Sequence, residues 1–275
     1  MKSLYDCVVH GDPIETLYID VHGHFGPSHG VTIPYAMDRQ RIIAAMDRYG
    51  CDMVWMSACR PGHSDDVAIR NDYVFDFADE YPDRIIPWCT LSANCPERAV
   101  TELKRCLARG RCIGVKMHVY CQPPYTMRSD FMQPILEILA EHRLLYINHI
   151  FTDMDALAWA LEKYPDVVFI SGHMNPLAND LARDHANMFD CTCAAIAPHE
   201  VQNEVERLRH SDSMLVGSDF AGFHLGFGVG MLAYADMDEQ HKRNILGLNA
   251  LTLLKRTSWF MDLAFSKPSS PGPPA

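Results

Sequence analysis

Five short segments of this 275-residue chain each place a metal-capable side chain at the end of an apolar, β-branched run: IDVHGH (19–24), GVKMHVY (114–120), LLYINHI (144–150), VVFISGHM (167–174) and LVGSDF (215–220). Residues two apart on a strand point to one side, so His22 and His24 can face the same ion. Neutral imidazole nitrogens suit borderline metals such as Zn²⁺. An H-x-H alone also describes two polar residues at a strand end, and this chain has 14 histidines. His149 and His173 each end a strongly apolar run, where an imidazole is costly unless liganded or hydrogen-bonded. Asp219, behind V-G-S, sits where the last strand of an α/β barrel would present a carboxylate, although G-S-D also caps helices. Five such groups in order point to a metal that activates water, since a bound divalent ion lowers the pKa of water toward neutrality.

Positioning these groups requires strands at regular intervals. Eight apolar runs lie near 17–22, 51–58, 85–91, 112–119, 144–150, 167–172, 188–194 and 214–219. Helical periodicity fills most of the gaps. DRQRIIAAMDRYG (38–50) gathers Ile42, Ile43, Met46 and Tyr49 on one face and stops at Gly50. NDYVFDFADEYPDR (71–84) predicts a helix capped by Asn71, and PERAVTELKRCLARG (96–110) has proline first and glycine last. Segments 130–143, 153–166, 199–212 and 236–264 read as further helices. From His22 to Asp219 the units average about 28 residues, as in a (β/α)8 barrel. A doubly wound sheet would show a glycine-rich phosphate turn after its first strand, and IDVHGHFG is not one. The fold predicted is α/β, a single TIM-like (β/α)8 barrel over 1–265 with a C-terminal helical region. The Pro/Ser-rich stretch 266–275 is expected to be a disordered tail.

Composition narrows the partners. A net charge of −11 disfavours nucleic acid and anionic membranes. No apolar run approaches the roughly 18 residues of a membrane span, and residues 1–15 lack the apolar stretch of a signal peptide. Ten scattered cysteines without a C-x-x-C read as reduced, buried thiols, so a cytoplasmic setting is expected.

The ordered set IDVHGH, NDYVFDFADEYPDRIIPWCTL (71–91), GVKMH (114–118), His149, His173, VGSDF and NILGLNALTLL (244–254) resembles the amidohydrolase superfamily. The resemblance covers nearly the whole chain and is to the amidohydrolase-2 branch, which is similar to aminocarboxymuconate-semialdehyde decarboxylase. It implies His22, His24, His149 and Asp219 as ligands of one divalent metal, zinc by preference, with His173 beside the metal-bound water. Asp219 would ligate and also accept the water's proton, passing it to the leaving group. His173 would orient the hydroxide or polarise the substrate oxygen. Catalysis is therefore assigned to Asp219 and His173. Related barrels often pair, which leaves a homodimer open.

Lys116 leaves the metal count open. In other branches a strand-four lysine is carbamylated and bridges two metals, and every residue for that arrangement is present here. The rest of the sequence resembles the mononuclear branch more, and His118 shares the strand face with Lys116, so the two also read as a substrate-binding pair. The barrel's loops must hold a small-molecule substrate. Candidates are Phe25, His29 and Tyr35 in loop one, Arg60 and His63 in loop two, and Tyr125 and Arg128 in loop four. AGFHLGFGVG (221–230), with His224, reads as a flexible, partly apolar lid. Arg60 is the preferred carboxylate binder, because guanidinium matches carboxylate bidentately. The leading function is hydrolysis of a C–N or C–O bond in a small molecule by metal-activated water. The alternatives are nonoxidative decarboxylation of a small carboxylic acid, and a non-catalytic metal-binding barrel.

Overall fold

The computed structural model describes residues 2–27, 37–59, 66–119, 123–260 and 263. Each apolar run forms a strand: β1 Ile19–Phe25, β2 Met53–Ala58, β3 Ile85–Thr90, β4 Gly114–Met117, β5 Leu145–Asn148, β6 Val168–Ser171, β7 Met188–Cys191 and β8 Met214–Leu215. The strands pair in parallel in sequence order. The chain beyond β8 returns to β1: Val21 N donates to Val216 O at 3.0 Å, and His24 N donates to Phe220 O. The architecture is the expected (β/α)8 barrel. No helix among the described residues is long and apolar enough to cross a membrane. The boundary at 265 and the 266–275 tail lie outside the described residues.

The barrel interior is filled by large side chains. Ile19, Val21, Met53, Trp55, Ile86, Trp88, Ile147 and Ile170 pack in one cluster with Leu251 and Leu254 of the helix Asn249–Leu254, which plugs the end opposite the histidines. Burying one such side chain stabilises by about 1.5–3 kcal/mol before entropy is subtracted. Trp88 Nε1 donates to Val21 O at 3.2 Å, satisfying the indole inside this apolar layer.

An irregularity in β1 decides what faces the mouth. Asp20 pairs with Val54 but Gly23 pairs with Met56, so three steps on β1 oppose two on β2. Such a bulge changes the in–out alternation. Ile19 and Val21 point inward before it, and His24, paired with Ser57, follows the inward register after it. Phe25 belongs to the outer layer instead: it is buried against Phe77, with ring centroids 4.7 Å apart, and is not the loop-one mouth residue expected.

The helices Arg39–Arg48, Pro96–Ala108, Met132–Glu141, Met154–Lys163 and Pro198–Leu208 lie where periodicity predicts them. One start differs. The helix Val67–Glu80 begins four residues before Asn71 and is capped by Asp66, whose Oδ1 accepts from Ala68 N at 2.9 Å. Asn71 is fully buried and acts as a bracket. Its Oδ1 accepts from Thr90 N at 2.8 Å, while Nδ2 donates to Thr90 O at 3.0 Å and Glu102 Oε1 at 2.7 Å. The expected lid is also corrected. From Leu225 the chain is a helix to Tyr234, with Gly228, Val229, Met231 and Leu232 buried, because these apolar residues cover the outside of the β8–β1 junction. The helices Leu4–His10 and Pro176–Leu181 were not anticipated; six or seven residues carry too little periodicity to be read.

Replacing Asn71 by alanine removes the side-chain partner of Thr90 N and Thr90 O and one of the donors to Glu102, which keeps Arg105. Asn71→Ala should lower unfolding free energy by about 3 kcal/mol, measured by urea denaturation, with the far-ultraviolet spectrum of the native state unchanged.

Candidate metal centre

Five imidazoles form an arc across the barrel mouth. Ring centroids are 5.0 Å apart for His24 and His22, 5.5 Å for His22 and His173, 4.1 Å for His173 and His149, and 3.9 Å for His149 and His118, the last pair stacked. The arc draws on β1 and on the ends of β6, β5 and β4. Asp219 closes it from beyond β8, its Oδ1 lying 2.8 Å from His24 Nε2 and 3.5 Å from His22 Nε2. Ligand atoms on one ion with bonds near 2.1 Å stand about 3.0–3.4 Å apart. These separations fit a single cation.

One ligand atom each from His22, His173, Cys193 and Asp219 lies within 4.8 Å of the others. This converging group overlaps the expected ligand set only in part. His24 joins it through Asp219, with Nδ1 3.0 Å from Ser57 Oγ. His149 instead lies between the His118 and His173 rings. Cys193 was missed by sequence reasoning because it follows β7 inside C-T-C-A-A, where a cysteine looks like core filler.

His22 is the pivot. Its Nδ1 donates to Gly172 O at 2.6 Å, which fixes the tautomer and leaves the Nε2 lone pair facing inward. Lys116 Nζ, almost fully buried, lies 2.8 Å from that nitrogen. Two glycines permit the crowding. A Cβ on Gly172 would stand 2.7 Å from Asn148 O and 3.0 Å from Lys116 Nζ; one on Gly217 would stand 2.2 Å from Cys191 Sγ and 2.8 Å from the His22 Cβ. Asp20 holds the two ligand-bearing strands together. It is fully buried, its Oδ1 accepts from His22 N at 2.9 Å and Ser218 N at 3.2 Å, and its Oδ2 accepts from Ser218 Oγ. Asp219 itself has a left-handed backbone, φ 57°, a conformation that aspartate tolerates better than most residues.

The electrostatics favour ligands in their metal-binding forms. Burial, reinforced by Lys116, holds His22 well below the usual imidazole range, so it is neutral. Burial, with His118 and His173 beside it, lowers His149 in the same way. Burial would raise Asp219, but the hydrogen bond from His24 leads the opposing causes and keeps the carboxylate ionised. Burial lowers the Lys116 amine to about 8, with Asp219 opposing. Burial raises Asp20 to about 7, against the hydrogen bonds from Ser218 and His22 N. Neutral imidazoles and an ionised carboxylate are the states a divalent cation requires.

The substrate candidates divide. Lys116 is buried at the mouth beside the arc, and His118 is buried at its end. His224 is placed elsewhere: its Nδ1 accepts from Gly226 N at 3.2 Å, capping the helix Leu225–Tyr234, and its ring packs edge-on against Tyr49 at 4.5 Å. Tyr125 is buried and donates to Asn148 Oδ1 at 2.8 Å, and the Arg128 guanidinium lies 5.2 Å from the Trp159 ring centroid. Arg60, His29, Tyr35 and His63 lie outside the described residues.

Known structures share this fold. The 2,6-dihydroxybenzoate decarboxylase from Rhizobium superposes with a TM-score of 0.70 at 14% identity, covering 87% of this chain and 99% of that one. The 5-carboxyvanillate decarboxylase from Sphingomonas paucimobilis gives 0.68 at 14% identity, with 86% and 98% covered. The 5-carboxyvanillate decarboxylase from Novosphingobium aromaticivorans, complexed with manganese and 4-hydroxy-3-methoxy-5-nitrobenzoic acid, gives 0.66 at 17% identity, with 87% and 96% covered. At such identities the likeness is one of fold. No curated protein matches the sequence. The sequence does match the amidohydrolase family model Amidohydro_2 across residues 19–256, which takes in every group of the arc, and the chain belongs to that family.

Proposed function

We propose that this protein is a metal-dependent nonoxidative decarboxylase of a small, unsaturated or aromatic carboxylic acid. The observation that carries this reading is the convergence of His22, His173, Cys193 and Asp219, with the Lys116 amine 2.8 Å from His22 Nε2. A divalent cation beside a buried lysine suits an anionic substrate better than a neutral one. Manganese-bound decarboxylases of substituted benzoates share the fold, and this favours loss of CO2 over the hydrolysis first expected.

A bound divalent ion would supply a Lewis acid for substrate oxygens. The chain's residues do the rest. Lys116 and His118 hold the substrate's oxygens at the mouth, and the imidazole arc excludes bulk water from the reacting carbon. Decarboxylation replaces the carboxylate by a proton: the C–C bond breaks, its electron pair stays on carbon, and one proton is taken up. In this reading Asp219 and His173 hold and deliver that proton. One divalent ion would be held by His22, His24, His149 and Asp219, the set implied by the family resemblance, with His173 and Cys193 adjoining. A second arrangement, two ions bridged by carbamylated Lys116, is favoured only by the closeness of Lys116 to His22.

Metal-loaded protein incubated with a panel of hydroxybenzoates and short unsaturated acids should release CO2. Asp219→Asn should slow that release roughly 10²–10⁴-fold while leaving the fold intact by circular dichroism. Hydrolysis of lactones or amides by the same preparation, with no CO2 from any acid, would replace this reading by the hydrolase. Elemental analysis should find about one divalent ion per chain, lost in Asp219→Asn and retained in Lys116→Ala. Two ions per chain that fall together in Lys116→Ala would instead establish the bridged site.

A further inference from the structure

Cys193 is the one sulfur that the described residues bring into the converging group. Among the described residues nine cysteines are free and eight of these are buried, most between helices and barrel or deep in the barrel interior. Cys193 lies past the end of β7 and is 1% exposed, with its Sγ within 4.8 Å of ligand atoms of His22, His173 and Asp219. Its backbone is fixed as well, since Cys193 O accepts from Met174 N at 2.9 Å next to His173. In tetrahedral coordination with bonds of 2.0–2.3 Å, ligand atoms on one ion stand about 3.3–3.6 Å apart, so separations of up to 4.8 Å close by about 1 Å as the four side chains turn onto a single cation.

We infer that Cys193 is a thiolate ligand of the metal, giving this chain a softer centre than an all-imidazole and carboxylate site and a preference for zinc over manganese. The inference rests on the metal-dependent reading above and adds to it a ligand and a selectivity. Without metal, burial keeps the thiol protonated, with Cys191 and Asp219 adding to the effect. A divalent ion reverses this, because a coordinating thiol gives up its proton. The proton leaves to solvent as the S–metal bond forms, and no electron is transferred. Thiolate ligands select zinc and other soft ions, whereas manganese favours carboxylate, carbonyl and water.

The alternative is that Cys193 is interior packing, as Cys191 is, whose Sγ backs onto Gly217. The two cysteines therefore serve as subject and control. Metal-free protein is titrated with Co²⁺ and its absorption recorded in the near ultraviolet, where thiolate-to-cobalt charge transfer appears, and in the visible, where cobalt d–d bands report binding of any kind. The expected result is a charge-transfer band saturating with the d–d bands, absent in Cys193→Ser and Cys193→Ala and retained in Cys191→Ser. Zinc affinity should fall at least about 10-fold in Cys193→Ser, and the zinc-over-manganese preference should fall with it. Visible d–d bands without charge transfer in the unmodified protein would overturn the inference and leave the metal reading standing. A band that survives in Cys193→Ser and vanishes in Cys191→Ser would also overturn it. Absence of any cobalt spectrum would overturn the metal centre itself, and Cys193 as a ligand with it.

Discussion

Closure of the barrel between its first and last strands is the constraint on which the site depends. His22 and His24 come from β1 and Asp219 from beyond β8, almost two hundred residues later, and they meet only because these two ends of the sheet are joined. The joint is polar inside an apolar shell. Asp20 accepts from the backbone of His22 and from both the backbone and hydroxyl of Ser218, so one buried carboxylate sets the spacing of the two ligand-bearing strands. An unpaired carboxylate there would be costly, and three donors offset that cost only when the strands are in register. The same contacts that close the barrel therefore aim its ligands.

The charge balance of the mouth follows from this closure. Bringing several imidazoles into a space shielded from water favours their neutral forms, because neighbouring positive charges and burial act in the same direction. A single ionised carboxylate can then persist among them, and Lys116 provides a counter-charge from the opposite side of the barrel. Its Nζ lies 2.8 Å from His22 Nε2 and is attracted by Asp219.

Close packing without side chains makes the crowding possible. Gly172 and Gly217 stand where any Cβ would collide with backbone, with Lys116 or with His22, so their value lies in what they leave out. Gly172 also contributes its carbonyl, which settles which nitrogen of His22 carries the proton. What these two positions set is the geometry of the neighbouring histidine, and neither glycine needs to touch a substrate.

The sequence by itself determined the eight strands, their order and the polar groups at their ends, because strand periodicity and apolar runs are local properties that the chain carries residue by residue. Most helices and the roles of His22, His24, His173 and Asp219 as candidates were legible for the same reason. Tertiary structure decided the rest. The bulge in β1 depends on pairing with β2, and the burial of Asn71, read as a helix cap, depends on Thr90 and Glu102 arriving beside it. His224 looked like a loop group until the helix it caps packed against Tyr49. Cys193 joined the ligand group because β7 and β8 end beside β1, and no spacing along the chain encodes that proximity. Convergence of distant residues is a property of closure, and closure exists only once the whole sheet has formed.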